Sequence, residues 1–139
     1  MPSVSIETAS LLVRIAFLVG AVTDVLAIIP MLSRRVGVAL FGGDAAQSNA
    51  AYRYAMGIGA SLMAGWTCLL VWGAFRPIER RDILLLTVFP VISGIIIATV
   101  IAARSGVVLR SRVVPVWIHL SVVSLFYIVT YLLSLPHVL

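Results

Sequence analysis

The chain has 139 residues, of which 62% are hydrophobic and 11% are charged, and its mean hydropathy is +1.16. A soluble domain is about 45–50% apolar and about 25% charged, so this composition excludes a water-facing surface over most of the chain. The net charge of +5 comes from ten arginines, with no lysine in the sequence. These values indicate an integral membrane protein and exclude lysine chemistry such as a retinal or pyridoxal Schiff base.

Four apolar segments are long enough to cross the hydrocarbon core, which takes roughly 20 residues for about 30 Å. They cover residues 9–31, 54–75, 83–103 and 113–135. Residues 1–10 lack a basic n-region, so the first segment is interpreted as a retained span. We therefore predict an all-α fold, a polytopic four-transmembrane-helix bundle with residues 1–139 as a single membrane domain.

The turns between the spans differ in length. The first turn is the longest, and its residues 36–41 are apolar enough to lie in the membrane interface. The second, residues 76–82, is tight and predicts an antiparallel hairpin of the second and third spans. The third leads into Pro115, which suits the first turn of the fourth helix.

The arginine distribution predicts the orientation. The first and third turns hold six arginines, whereas the second turn and Arg14 together hold four. By the positive-inside rule, the first and third turns face the cytoplasm and both termini lie outside. Because the arginines form no basic helix with interleaved aromatic residues, we expect contact with lipid headgroups and no binding of nucleic acid.

Small residues recur at four-residue spacing in three of the spans. Such stripes let helix backbones approach closely, so they predict a compact bundle. In mid-membrane, Pro90 predicts a kink in the third span. The stripes are Ala16-Gly20, Gly57-Ser61-Gly65 with Gly73 further along, and Gly94-Ala98-Ala102.

Three ionisable residues lie within the spans: Arg14, Asp24 and His119. Such groups are costly in the bilayer and are therefore candidate functional residues. Counting inward from the helix ends places Asp24 and His119 at nearly the same depth, roughly 10 Å below the same surface. An Asp24–His119 pair is thus possible if the first and fourth helices are neighbours, with Ser61 or Thr99 as hydrogen-bond partner. Arg14 belongs to the opposite leaflet, where its side chain can extend to the headgroups.

Two interpretations of this pair stay open. It is either a proton- or ligand-binding site in a cavity or a structural contact that fixes helix register. The fourth helix adds a further face that could line a polar cavity or contact a partner helix. That face carries Trp117, Ser121, Ser124, Tyr127 and Tyr131.

Residues 49–90 combine an Asn-x-x-x-Arg segment ending at Arg53, a glycine-rich helix and an arginine-rich hairpin turn. This stretch resembles small four-helix bacterial membrane proteins that have no assigned activity, and the resemblance implies a four-helix bundle without designating a site. The layout of four short spans with one acid in the first is also similar to small multidrug transporters. By that analogy, Asp24 would bind the proton or cation.

The sequence contains no HExxH, GxSxG, phosphate-loop or CxxC motif, and Cys68 is its only cysteine. We therefore expect no metal site, no cofactor and no enzymatic activity. The leading hypothesis is an accessory or interaction subunit of the inner membrane that forms a homo-oligomer or binds another membrane protein. One alternative is a proton-coupled transporter that uses Asp24 with His119. A second is a dimeric haem or quinone site at His119.

Overall fold

The computed structural model describes residues 5–41, 50–106 and 108–135, and within these ranges it contains no strand. Part of the predicted first turn, including Asn49, and the C-terminal His137 lie outside the described residues. The helices in chain order are α1 (Ile6–Leu32), α2 (Arg34–Phe41), α3 (Ala50–Phe75), α4 (Asp82–Leu86), a π-helical segment (Thr87–Ile92), α5 (Ser93–Arg104) and α6 (Arg110–Ser134).

Four helical stretches are long and apolar enough to cross a membrane. They are α1, α3, the continuous run Asp82–Arg104 and α6. Each matches a predicted span to within a few residues, so the predicted all-α fold with four spanning helices is confirmed. The chain is a multi-pass membrane protein.

The core lies around α1, which packs most extensively against α3 and also contacts α6 and α2. Along α6 every seventh residue is buried, from Val113 through Leu120 and Tyr127 to Ser134. A repeat of seven residues keeps one side of a helix against its neighbours, as in left-handed helix packing. The wholly buried Phe17 and Leu70 occupy the centre of this core.

The predicted disruption at Pro90 takes the form of the π-helical segment Thr87–Ile92. Proline lacks the backbone N–H that an α-helix needs at this position, and a wider turn accommodates its ring. The buried Thr87 hydroxyl donates to the Ile83 carbonyl oxygen at 2.8 Å and accepts a hydrogen bond from Trp66 Nε1 at 3.2 Å. The third span is thereby linked to α3.

A second hydrogen bond from a tryptophan indole joins the other end of this span to α6. Trp117 Nε1 donates to the Thr99 hydroxyl at 2.8 Å. Since Thr99 also donates to carbonyl oxygens of its own helix, its hydroxyl is fully engaged. Trp117 therefore serves helix packing and does not line a polar cavity with Thr99.

The apolar part of the first turn forms helix α2, which folds back on the end of α1. A Cβ atom at Gly37 would lie 2.8 Å from the Pro30 carbonyl oxygen, so only glycine permits this close approach. Arg112 Nη1 donates to the Ala39 carbonyl oxygen at 3.1 Å and thereby ties α2 to the start of α6.

The arginines of the second turn are used to hold helix ends together. Arg80 Nη1 donates to the Trp72 carbonyl oxygen at 2.5 Å and stacks 3.4 Å above the Trp72 ring. Arg81 Nη1 donates to the Ser134 carbonyl oxygen at 2.6 Å and lies 5.5 Å from the Tyr131 ring centre. The turn thus attaches the ends of both α3 and α6.

We expect Arg81→Ala to lower the free energy of unfolding by about 1.5–3 kcal/mol, because a charged hydrogen bond to a helix end is lost. The matched control is Arg76→Ala. Arg76 makes only an exposed ion pair with Glu79 at 3.2 Å, which contributes about 0–1 kcal/mol. Unfolding of the purified protein in mixed micelles measures both. Equal effects of the two substitutions would contradict a role for Arg81 in holding α6.

Candidate functional site

The structure separates the four candidate site residues of the sequence analysis. Arg14, Ser61 and His119 are exposed on the outside of the bundle, whereas Asp24 is half-buried on the inner side of α1. Arg14 faces outward two turns from the start of α1, a position from which it can extend to lipid headgroups. These four side chains therefore do not form one site.

The possible Asp24–His119 pair does not form. Helices α1 and α6 are neighbours, as the pair requires. However, α6 turns the face that contains Leu120 and Tyr127 toward the core, and this leaves His119 exposed. Within the described residues, the one ion pair is Arg76–Glu79.

The two predicted hydrogen-bond partners of that pair are also engaged elsewhere. The Ser61 hydroxyl donates to the Gly57 carbonyl oxygen of its own helix at 3.0 Å, and Thr99 bonds with Trp117. Among the described residues, Asp24 therefore has neither a cationic partner nor one of the predicted hydroxyl partners. The transporter alternative that uses His119 with Asp24 gains no supporting contact from this arrangement.

Asp24 instead faces the neighbourhood of Tyr127. On α1 the buried residues Val13, Phe17 and Gly20 form a continuous stripe, and Asp24 follows one turn after Gly20 on the same side. Tyr127 is wholly buried, and its hydroxyl has no hydrogen-bond partner among the described residues. The Tyr127 hydroxyl lies against Gly20, one helical turn from Asp24.

Gly20 makes the position of Tyr127 possible. A Cβ atom at Gly20 would collide with the Tyr127 hydroxyl oxygen and would lie 3.1 Å from a methyl carbon of Leu70. The absence of a side chain at residue 20 thus admits the phenol ring of α6 between α1 and α3. The expected Ala16-Gly20 packing stripe is confirmed as buried.

Sequence reasoning placed Tyr127 on a polar face of α6 with Ser121, Ser124 and Tyr131, and this grouping is wrong for Tyr127. Ser121 is exposed, whereas Tyr127 is buried. The signal that identifies Tyr127 is the seven-residue repeat from Val113 to Ser134, in which it is the third member.

The glycines of α3 fall on two faces, which corrects the expectation that Gly73 continues the Gly57-Ser61-Gly65 stripe. Gly73 packs against the Phe17 ring of α1, with ring carbons 2.8 Å from where its Cβ would lie. Gly57 and Gly65 face away from α1, and a Cβ at either would meet no described atom within 4 Å. The stripe is therefore not packed inside the bundle.

Gly57 and Ser61 of the outward stripe line a shallow groove of about 460 Å³ along α3. Arg53 stands at its end nearest the first turn, and Ser61 lies near its other end. Of the four spans, α3 is the least buried. In its apolar 18-residue stretch 17% is buried inside the protein, against 28% in each of the other spans. Among the described residues, no atom lies within 4 Å of a Cβ built at Gly57 or Gly65, so this face is open there.

Among the described residues, no group of three or more His, Cys, Asp or Glu side chains is arranged to hold a metal ion. Cys68 is exposed on α3, and His119 is exposed on α6. Within the same residues, Tyr127 has the one buried side-chain polar atom that lacks a hydrogen-bond partner.

These features define a four-span helical membrane protein with one half-buried acid beside a buried tyrosine. No protein-family model, curated protein or solved structure matches the chain. The resemblance of residues 49–90 to small bacterial membrane proteins, and the layout shared with small multidrug transporters, stay predictions.

Proposed function

We propose that the protein is a small non-enzymatic subunit of the bacterial inner membrane that assembles with a second copy of itself through the outward face of α3. The observation that carries this proposal is the Gly57-Ser61-Gly65 stripe: Ser61 and Gly65 are exposed, Gly57 is partly exposed, and a Cβ at either glycine would meet no described atom within 4 Å. Between membrane helices, small residues permit close backbone contact and the dispersion energy that comes with it.

A second copy fits this face because the face is complementary to itself. In a two-fold symmetric contact the same patch is used on both chains, so two narrow, small-residue surfaces meet. The groove along α3 can receive a helix ridge, and the low burial of α3 leaves that surface available. Assembly would therefore bury the least packed of the four spans.

The proposed orientation has the first and third turns in the cytoplasm and both termini in the periplasm. Support comes from the arginine count. Arg80 and Arg81 bond to helix-end carbonyl oxygens, as Arg112 does to the Ala39 carbonyl oxygen at the other end, where six arginines lie. The larger group of arginines at the other end is then the natural contact for anionic cytoplasmic lipid.

Leucines at the stripe test the assembly. We expect Gly57→Leu and Gly65→Leu each to weaken self-association about tenfold or more, because a bulky side chain holds the two backbones apart and removes at least about 1.4 kcal/mol. Single-molecule photobleaching in lipid bilayers counts the copies in each particle. The control is Gly94→Leu on α5, which is equally open and lies outside the proposed interface.

Cysteine cross-linking locates the interface independently. In a Cys68→Ser background, Ser61→Cys should give a disulfide-linked dimer, whereas Val122→Cys on an exposed position of α6 should not. Wild-type levels of dimer in both leucine variants would reject the self-association proposal. A cross-link from residue 61 to a different membrane protein would identify a heterologous partner at the same face.

A further inference from the structure

Two polar side chains, one buried and one half-buried, have no hydrogen-bond or ion-pair partner among the described residues. The Tyr127 hydroxyl is wholly buried and makes no hydrogen bond with the described residues, and Asp24 is half-buried without an ion pair among them. We propose that Asp24 and Tyr127 form a reversible proton-binding site, in which the Asp24 carboxyl binds the proton and the Tyr127 hydroxyl bonds to that carboxyl. This site does not depend on the assembly proposed for α3.

The helix geometry brings the two groups within reach of one another. The Tyr127 oxygen lies where the Cβ of Gly20 would be, and Gly20 and Asp24 are one turn apart on the same side of α1. Cβ positions four residues apart in a helix are about 5–6 Å apart, and helical side chains lean toward the N-terminus. The Asp24 carboxyl is therefore within reach of the Tyr127 hydroxyl. The two groups make no direct hydrogen bond in this structure, and one bridging water would join them.

Nearby polar groups do not compete for this bond. The Thr23 hydroxyl donates to the Val19 carbonyl oxygen at 2.8 Å, and Leu70 offers only apolar atoms. The Asp24 carboxyl is consequently the group best placed to accept a hydrogen bond from Tyr127.

The charges around α1 favour a proton over a cationic side chain as the partner of Asp24. The helices packed against α1 are α2, α3 and α6. Apart from Tyr127 and the half-buried Tyr131, which lies beside Arg81, every titratable or charged side chain on these helices is exposed. These exposed groups are Arg34, Arg35, Tyr52, Arg53, Tyr54, Cys68, Arg110, Arg112 and His119.

The same holds on α1 itself, where Glu7 and Arg14 are exposed. A carboxylate in a low-dielectric interior without a counter-charge takes up a proton and becomes neutral.

The role of Tyr127 follows from this tendency. Its hydroxyl donates to the carboxyl in both protonation states, and the bond to the ionised form is the stronger one. Tyr127 thereby permits the proton to leave, so Asp24 is not held permanently in its neutral form.

The test is the melting temperature of the purified protein over about pH 4 to 9. Because the apolar interior disfavours a charged carboxylate without a counter-charge, stability should fall as the pH rises and then level off. In Asp24→Asn this dependence should vanish. In Tyr127→Phe the decline should continue to a higher pH, since the ionised carboxylate has lost its donor.

Tyr131→Phe is the matched control, because it removes a hydroxyl one turn along α6 that does not face Gly20, and its profile should equal that of the wild type. A pH-independent wild type would overturn the proposal. An unchanged profile in Tyr127→Phe would also overturn it, since Asp24 would then titrate without Tyr127.

Infrared spectroscopy gives a second measurement that does not require Asp24→Asn to fold. With aspartate labelled at its carboxyl carbon, a protonated-carboxyl band should appear as the pH falls, and its frequency should shift in Tyr127→Phe. The label separates this band from the bands of Glu7 and Glu79. A carboxyl in the apolar interior absorbs at a different frequency from a water-exposed aspartate such as Asp82. A band unaffected by Tyr127→Phe would reject the hydrogen bond.

Discussion

Gly20→Ala should destabilise the folded bundle by about 1–3 kcal/mol, the usual effect of forcing an extra carbon into a packed core. The new methyl group would collide with the Tyr127 hydroxyl, and Tyr127 is wholly buried and cannot swing aside freely. Higher helix propensity of alanine offsets part of this loss, by at most about 1 kcal/mol. The free energy of unfolding in mixed micelles is the measurement.

A second substitution should rescue this variant. Tyr127→Phe removes the oxygen that the new methyl group meets first, so the Gly20→Ala/Tyr127→Phe double variant should recover most of the lost stability. The rescue should be incomplete, because the ring carbon behind that oxygen lies 3.2 Å from the added Cβ. The control is Gly94→Ala, where the added carbon meets open space. Purely additive effects of the two core substitutions would contradict the contact.

Phe17→Ala should have the largest effect of any single substitution considered for this protein. Phe17 is wholly buried, and its ring lies directly on Gly73 of α3. Removing it leaves a cavity between the two most extensively packed helices, α1 and α3. In soluble proteins such a change costs about 3–5 kcal/mol. We expect the lower end of that range here. Lipid tails are as apolar as the core, so the loss of dispersion contacts is the main cost of the substitution.

Phe89→Ala is the matched control, since Phe89 is 65% exposed and should change stability by no more than about 0.5 kcal/mol. Gly73→Ala provides a test from the opposite side of the contact, because its methyl group would push against the same ring. If Phe17→Ala and Phe89→Ala had equal effects, the packing of α1 on α3 would be other than described.

Much of the fold follows from local sequence. The four spans were predictable because a membrane requires about 20 consecutive apolar residues, and helix boundaries coincide with arginine-containing turns. Pro90 identified the irregular position in the third span, although it did not distinguish a kink from the π-helical segment that occurs. The location of residues 36–41 in the membrane interface stays a prediction, and their helix and its contact with Pro30 were not predicted.

The candidate site was predicted less well, and Asp24 shows the reason. Its rarity as an acid in a span identified it, and counting residues along the helix axis gave its depth. Depth does not specify which way a side chain points around the helix. His119 lies on a neighbouring helix and is nevertheless exposed, whereas Tyr127 reaches Gly20 from deeper along α6.

The sequence by itself determined the class of protein, the number of spans and the residues whose burial in a bilayer needs an explanation, because hydrophobic length and charge are local properties. Only the tertiary structure decided the rotation of each helix about its axis. That rotation placed Gly20 and Gly73 in the core and left Gly57 and Gly65 facing outward. It depends on how side chains of different helices fit together, since lipid and core are equally apolar and hydrophobicity alone does not select the inward face.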